Sequence, residues 1–387
     1  MESGRSLLVR GASRAGDERP ASILIVDGRI RALGAEAEAA APAGATEVEA
    51  EGLIAAPGFI DLQVNGAAGH DLTADPNSLA GVAAALPQYG VTAFLPTIVS
   101  APYEVHAAAM AAVREWSDPT GGTSATPLGL HVEGPFLSPA RPGVHDPSVL
   151  REPDPAATAG WSPDGGVRMV TLAPELPRAL ALTADLVARG IVVSAGHTDA
   201  DYETGRAAID AGVRYATHLF NAMTPLGHRE PGIAAALLAD ARVTIGIIPD
   251  GVHLHPAIVD HVWRMAGPGR VSAVTDAIAA LGMAPGRYQL GRIEVLVDDR
   301  AATSGGRLAG SVIGLDAALR NVAAFTGATA AAALETVTRV PARLLGLPDR
   351  GHLGAGAIGD VTLLTPALEV CATIVAGRVA YALGDTA

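Results

Sequence analysis

The sequence contains no lysine, and arginine supplies all 27 of its basic side chains. Without lysine, the chain has no Schiff-base amine, no P-loop lysine and no carboxylated lysine to bridge two metal ions. Its single cysteine, Cys371, has no partner for an internal disulfide, which is typical of proteins from a reducing compartment. We therefore predict a cytoplasmic protein.

Charge and hydropathy exclude further functional classes. The net charge of -13 disfavours binding to nucleic acid. No apolar run at the amino terminus marks a signal peptide, and none elsewhere is long enough to span a bilayer. We therefore predict that neither a nucleic acid nor a membrane is a partner. The length of 387 residues, 49% of them hydrophobic, predicts a large folded domain with a small second one.

Short β-branched runs alternate with helix-like segments through the middle of the chain. The candidate strands cover residues 58–64, 91–97, 128–133, 167–175, 191–197, 214–219, 243–250 and 271–276. Segments between them are rich in alanine and leucine and end in glycine, as helices often do. Strand–helix alternation repeated eight times predicts an α/β fold, the (β/α)8 barrel.

The two chain ends carry a different pattern. Residues 21–32 predict a hairpin in which two short apolar strands flank Asp27-Gly28, a pair that favours tight turns. A similar pattern returns at residues 361–381, with Gly377 at a turn. We predict a small β-sandwich-like domain built from residues 1–56 and 347–387, and a barrel over residues 57–346.

Polar side chains stand at or just after the carboxyl ends of many predicted strands. They are Gln63, Asn65, Glu133, His197, His218, Asp250, His253 and Asp276. These strand ends meet at one face of a (β/α)8 barrel, where the active sites of such barrels lie. We therefore expect one shared site.

Three of these side chains have the chemistry of a metal centre. Glu133, His197 and His218 end three different strands, and three protein ligands with room for a water are typical of a catalytic metal ion. A buried core histidine is the commoner explanation for either imidazole alone, but the three together favour a metal. Asp276 could take a proton from water and return it to a leaving amine, or it could cap a helix over residues 277–281.

Eight sequence segments, in this order, resemble one family. They are PGFIDLQVNG, HVEGPFL with PGVHDP downstream, AGHTDA, THLFNAM with GHREPG, IIPDGVHLHP, and VTDAIAALG. Together they resemble the N-acetylglucosamine-6-phosphate deacetylases of the amidohydrolase superfamily, from about residue 20 to about residue 380. The resemblance implies a metal-dependent hydrolase that converts N-acetyl-D-glucosamine 6-phosphate into D-glucosamine 6-phosphate and acetate, with Asp276 as general base and acid.

The first strand end indicates the number of metal ions. Many barrel amidohydrolases have His-x-His there, which supplies a second metal, whereas this chain has Gln63 and Asn65 at that spacing. Amides are poor ligands for zinc. We therefore predict one divalent ion, zinc first and ferrous iron as the alternative, while an ordinary loop role for Asn65 stays open.

The resemblance implies further roles. His145 would polarise the acetyl carbonyl together with the metal ion, and its plainer reading is a solvated loop histidine. The side chain of Asn221 and the backbone N–H of Ala222 would bind the sugar phosphate. For Asn221, capping of the adjacent backbone is the alternative.

Three more residues complete the substrate-binding set that the resemblance implies. Gln63 and His253 would face the amino-sugar phosphate. Arg229 would clamp the phosphate of the neighbouring subunit, which predicts a homodimer. Its plainer reading is a surface ion pair with Glu230.

Other functions remain to be distinguished. The same chemistry on N-acetylgalactosamine 6-phosphate differs only in the configuration of one hydroxyl, and no residue in the sequence shows which epimer is bound. A cyclic amidase or dihydroorotase would need His-x-His and a carboxylated lysine, and both are absent. A catalytically inactive barrel that acts as a binding protein would tend to have lost its metal ligands.

Overall fold

The computed structural model describes residues 5–298 and 301–384. The strands are β1 Ser6–Arg14, β2 Asp17–Val26, β3 Arg29–Leu33, β4 Thr46–Glu49, β5 Ile54–Pro57, β6 Phe59–Val64, β7 Gly66–Ala67, β8 His70–Asp71, β9 Val91–Ile98, β10 Thr126–Pro127, β11 Leu130–Glu133, β12 Val167–Leu172, β13 Val192–Ala195, β14 Val213–Ala216, β15 Thr244–Ile247, β16 Val271–Ala273, β17 Gly286–Leu290, β18 Ile293–Val297, β19 Ala302–Ser304, β20 Arg307–Leu308, β21 Val361–Leu364, β22 Val370–Val375 and β23 Arg378–Ala382. The α-helices are α1 Ala35–Ala40, α2 Leu79–Ala85, α3 Tyr103–Arg114, α4 Ala179–Ala188, α5 Tyr202–Ala211, α6 Gly232–Ala239, α7 Pro256–Ala266, α8 Leu315–Thr326, α9 Ala330–Glu335 and α10 Arg339–Leu344. Short 3-10 helices cover Pro76–Ser78, Leu86–Tyr89, Pro147–Val149 and Pro268–Arg270.

The central sheet is the predicted (β/α)8 barrel. Its parallel strands follow the order β6, β9, β11, β12, β13, β14, β15 and β16, and β10 extends the edge beside β9. The ring is nearly closed where β16 runs out towards β6: the backbone N–H of Asn65 donates to the carbonyl of Ala277 at 2.7 Å. Each predicted strand of the barrel is confirmed.

Burial explains why these runs form parallel strands. Every residue of β6 and β9 is buried, because helices cover the outer face of the sheet while side chains fill its interior. Local sequence signals mark the ends of two helical segments. The side chain of Asp201 caps α5, and Gly90 ends the α2 segment in the left-handed conformation, with φ of 80°.

The chain ends meet in one mixed sheet, as predicted. Its strand order is β23, β22, β21, β5, β1, β2 and β3, with β4 paired to β1, so the antiparallel β5–β21 pair joins the two ends of the sequence. The predicted hairpin turn between β2 and β3 has positive φ at both Asp27 and Gly28. Residues 1–4 and 385–387 of the predicted small domain lie outside the described residues, and its boundaries stay a prediction.

A four-stranded antiparallel sheet, β17 to β20, is inserted between the last barrel strand and α8 and was not predicted from the sequence. Its first hairpin turns through Gly291 and Arg292, with Leu290 opposite Ile293. In the described part of the chain, no helix is both long and apolar enough to cross a membrane.

Asp61 is a buried carboxyl group inside the barrel. Its Oδ2 accepts a hydrogen bond from the Thr275 hydroxyl at 2.6 Å, and its Oδ1 accepts one from the Gln63 N–H at 3.2 Å. Burial outweighs these bonds and raises the pKa of Asp61 to about 7. The folded chain therefore holds a proton on Asp61 that the unfolded chain releases at lower pH.

This proton makes stability depend on pH at one position. A carboxyl group with a raised folded-state pKa stabilises the fold less as pH rises from about 4 to about 7, because the unfolded chain ionises first. When the pH is raised from 5 to 8, we expect the free energy of unfolding of Asp61→Asn to increase by roughly 2 kcal/mol relative to that of the wild type. Chemical denaturation of both proteins in the presence of a chelator measures this. An equal difference between the two proteins at both pH values would contradict the assignment.

Candidate metal centre and active site

Three predicted ligands come together at the carboxyl ends of β11, β13 and β14. Nε2 of His197 lies 3.1 Å from Nε2 of His218. Both nitrogens face Oε1 of Glu133, at 3.3 Å and 3.1 Å. All three side chains are buried, and both histidines have positive φ, at 48° and 25°. Such backbone strain is concentrated at functional sites.

The chemistry of these donors fits a divalent ion. Ligand bonds of about 2.0–2.2 Å in a tetrahedral arrangement place ligand atoms roughly 3.3–3.6 Å apart, close to the observed spacing. Nδ1 of His197 faces the carbonyl of Arg141 at 3.3 Å, so its N–H points there and the lone pair of Nε2 points into the cluster. Burial acts to raise the pKa of Glu133, but the two imidazoles outweigh it and hold the pKa well below its usual value.

Asp276 lies beside this cluster, also with positive φ, 49°. Its Oδ1 accepts hydrogen bonds from the side-chain amides of Asn65, at 2.7 Å, and Gln63, at 3.0 Å. Within residues 5–298 and 301–384 no hydrogen bond reaches Oδ2, which leaves this oxygen for a molecule in the cavity. Burial, together with the charge of Glu133, raises the pKa of Asp276 to about 6. The alternative reading as a helix cap is wrong, because residues 277–281 form a bridge and a turn.

The amide of Gln63 joins the metal cluster to Asp276. Its Nε2 donates to Glu133 Oε1 at 3.2 Å and to Asp276 Oδ1, while its Oε1 accepts from the Thr217 hydroxyl at 2.7 Å. Gln63 is fully buried and does not line the cavity, whereas the predicted substrate contacts His145, Asn221, Ala222 and His253 do. Asn65, by contrast, lines the cavity. Because both side-chain amides donate to Oδ1 of Asp276, both orient that carboxyl group.

His145 is buried, and this rules out the solvated-loop reading. The backbone N–H of Ser100 donates to Nδ1 of His145 at 3.2 Å, and the Ser100 hydroxyl lies 2.9 Å from the same nitrogen. An accepting Nδ1 places the hydrogen of the neutral ring on Nε2, which lies 4.0 Å from Glu133 Oε2. Burial lowers the pKa of His145 to about 3, so the ring is a neutral N–H donor.

A cavity of about 420 Å³ opens over these groups, and Asn221, Ala222 and His253, which were predicted to bind substrate, are among the residues that line it. Nδ1 of His253 donates to Oδ2 of Asp250 at 2.7 Å. Burial acts to raise the pKa of Asp250, but the interaction with the His253 side chain and the backbone N–H groups of Val252 and His253 together outweigh it, so the pKa lies below its usual value. The Asn221 amide bonds the backbone carbonyl of His218 at 3.1 Å, so it holds its own turn while it faces the cavity.

Arg229 stands apart from the cavity of its own chain. The side chain is exposed, and it forms no ion pair with Glu230 in the described residues. The plainer reading of Arg229 as half of a surface pair is therefore wrong. A single chain leaves Arg229 free to contact another molecule.

Sequence reasoning missed several residues that shape the site. Arg141 and Arg307 line the cavity mouth and bring positive charge to an acidic protein. Arg307 comes from the inserted sheet and donates to the carbonyl of Gly143 at 2.9 Å. Alternating apolar residues around Gly291-Arg292 could have predicted the inserted hairpin, but nothing in the sequence pairs Arg307 with Gly143.

Comparisons with known proteins agree with this geometry. The amidohydrolase family model matches residues 54–380. The human N-acetylglucosamine-6-phosphate deacetylase is 40% identical over 346 residues, which cover 85% of this chain and 84% of that protein. The N-acetylgalactosamine-6-phosphate deacetylase of Escherichia coli O157:H7 is 36% identical over 344 residues, 88% of this chain and 90% of that one.

Solved structures give the same result. The N-acetyl-D-glucosamine-6-phosphate deacetylase of Mycobacterium smegmatis, solved as an aspartate-to-alanine mutant in complex with N-acetyl-D-glucosamine 6-phosphate, superposes with a TM-score of 0.88 at 37% identity. The match covers 97% of this chain and 100% of that one. The chain therefore belongs to the amidohydrolase family and, within it, to the N-acetylglucosamine-6-phosphate deacetylases.

Proposed function

We propose that this protein hydrolyses the acetamide of N-acetyl-D-glucosamine 6-phosphate to D-glucosamine 6-phosphate and acetate. The observation that carries the proposal is the meeting, in one cavity, of a metal-binding cluster, the available Oδ2 of Asp276 and the neutral Nε2–H of His145. The relatives whose names give this reaction support the choice of substrate.

Glu133, His197 and His218 would hold one divalent ion, zinc first and ferrous iron second. The ion supplies Lewis-acid activation of water and of the amide carbonyl. Side chains carry out the proton transfers and stabilise the developing charge. Asp276 Oδ2 accepts a proton as water attacks the acetyl carbonyl, and the His145 Nε2–H donates to the carbonyl oxygen as charge develops there. Asp276 then returns the proton to the amine nitrogen, and acetate leaves.

The polar groups around the cavity mouth would hold the phosphate. Asp250 fixes Nδ1 of His253 as a donor, so Nε2 of that ring is left for the substrate. Asn221 and Ala222 line the same cavity, where the backbone N–H of Ala222 would serve as a second donor. These contacts lie away from the reacting carbon, and binding there serves to position the acetamide.

Acetate release from three substrates tests the proposal. N-acetylglucosamine 6-phosphate should be hydrolysed efficiently, and unphosphorylated N-acetylglucosamine should react much more slowly because the phosphate contacts are lost. The alternative substrate, N-acetylgalactosamine 6-phosphate, is favoured by the similarity to the Escherichia coli enzyme named for it. A higher kcat/KM for that epimer would replace the proposed substrate. No acetate from any of the three, with metal present, would reject the reaction.

Arg229 is proposed to reach the phosphate in a neighbouring copy of this chain. We expect Arg229→Ala to raise KM by roughly 10-fold or more, since a charge-assisted phosphate contact is lost. Arg206→Ala removes another exposed arginine, on α5, and should leave KM unchanged. Steady-state kinetics on N-acetylglucosamine 6-phosphate measure both.

Mixing subunits shows whether the residue acts across an interface. Arg229→Ala and Asp276→Asn chains that exchange into mixed dimers would form one complete site per dimer. At substrate concentrations well below the raised KM, the mixture should recover about a quarter of wild-type activity. Activity equal to the average of the two separate variants would contradict a role for Arg229 in the neighbouring site.

A further inference from the structure

A second cavity, of about 260 Å³, adjoins the active-site cavity. Its lining includes Ala101, Val105 and Val149. Within the described residues, the two cavities share only Val99 and Leu290. These two apolar residues therefore lie between the active-site cavity and the adjoining space, and together they are called the wall below.

Both wall residues are anchored to the same short segment of the barrel. The N–H of Val99 donates to the Thr73 hydroxyl at 3.1 Å. The residue after Leu290, Gly291, donates its N–H to Oδ2 of Asp71 at 2.7 Å, while Oδ1 of Asp71 accepts from the N–H of Thr73 at 2.8 Å. The tip of the β17–β18 hairpin is thereby held against the loop after β9.

The approach of the hairpin tip is close. Gly291 has φ of 59°, and a Cβ atom built there would lie 3.0 Å from Cγ2 of Thr73. A bulkier residue at position 291 would push the hairpin away from Thr73. The glycine therefore lets the neighbouring Leu290 lie close to the barrel. The wall is therefore formed by the inserted sheet and the barrel together, and hydrogen bonds hold its position.

The wall lies at the apolar side of the active site. Val99 directly precedes Ser100, whose N–H holds His145, and Val99 and Leu290 pack in one hydrophobic cluster with Val144 at its edge. The polar groups suited to phosphate, Asn221 and His253, belong to other strand ends. An acetyl carbonyl whose oxygen meets His145 therefore has an apolar surface available for its methyl group.

We propose that Val99 and Leu290 form the end wall of the acyl subsite and restrict the substrate to a two-carbon acyl group. Shortening either side chain opens the subsite into the second cavity, which then accepts N-propionyl and N-butyryl amino-sugar phosphates. The proposal rests on the proposed deacetylase function and adds the residues that set its acyl specificity.

The test compares kcat/KM for N-acetyl-, N-propionyl- and N-butyrylglucosamine 6-phosphate. In a closed hydrophobic site one misplaced methylene costs roughly 10-fold or more, so the wild type should discriminate strongly against the butyryl substrate. Val99→Ala and Leu290→Ala should each raise the butyryl-to-acetyl ratio by roughly 10-fold or more. Val99 and Leu290 lie on different elements, so a folding defect in one variant leaves the other as an independent test.

Val149→Ala is the matched control, because Val149 is as buried as Val99, at 6% exposure, and lines only the second cavity. It enlarges that cavity and leaves the wall intact, so its ratio should stay at the wild-type value. Suppose that Val99→Ala and Leu290→Ala are folded and still release acetate. A butyryl-to-acetyl ratio unchanged from the wild type in these variants would contradict the proposal that the two residues restrict the acyl group. A wild-type enzyme that fails on the acetyl substrate itself would overturn the deacetylase function, a separate outcome.

Discussion

Asp276→Asn is expected to lower kcat by roughly 10³- to 10⁴-fold while the protein stays folded and keeps its metal. The asparagine cannot take a proton from water, and it has no proton to return to the leaving amine nitrogen. Its side chain has the same shape, so Gln63 and Asn65 can still bond the remaining carbonyl oxygen, Oδ1. Steady-state kinetics on N-acetylglucosamine 6-phosphate, with metal analysis of the same sample, measure the effect.

A second buried carboxyl group provides the control. Asp61 lies near Asp276 but is bonded to Thr275 and stays out of the cavity, so Asp61→Asn should lose less than roughly 10-fold in kcat. Near-wild-type turnover of the Asp276→Asn variant would show that another group moves the proton. Loss of metal from that variant would instead place Asp276 among the ligands.

His218→Ala is expected to abolish both metal retention and turnover. The substitution removes one of three converging donor atoms and leaves Glu133 and His197, which is too few for a stable catalytic site. The loss of metal affinity should exceed the roughly 10- to 100-fold that follows removal of a partner outside the ligand shell. Elemental analysis after dialysis, followed by the acetate assay with added zinc, checks both effects.

His131→Gln is the control that shows whether loss of any buried histidine near this face lowers metal retention. His131 lies two residues before Glu133 on β11, but its ring contacts the Leu62 carbonyl at 3.1 Å and the Thr171 hydroxyl at 2.7 Å. The variant should keep its metal. If His218→Ala binds as much metal as the His131→Gln protein, the assigned ligand set is incorrect.

The fold was predictable because its signals are local and repeated. The barrel strands are short, largely buried apolar runs, and some of the helices between them are marked by a cap such as Asp201 or a left-handed glycine such as Gly90. Residues that end strands can be assigned to one face by topology alone, which is why Glu133, His197 and His218 could be grouped.

Contacts between distant loops left no such signal. Ser100 and His145 are 45 residues apart, and their bond decides which ring nitrogen carries the hydrogen. Gln63 was expected to face substrate, yet its amide bonds two carboxylates and a threonine behind the cavity. Sequence spacing places such residues at the site but does not determine which atoms face each other.

The most direct measurement is acetate release from N-acetylglucosamine 6-phosphate by metal-depleted protein as zinc or ferrous iron is added stepwise. One cluster of Glu133, His197 and His218, with amides at the first strand end, predicts activity that rises to one equivalent of metal per chain and then stays constant. Full activity without metal, or activity that continues to rise to two equivalents, would contradict a single-metal deacetylase.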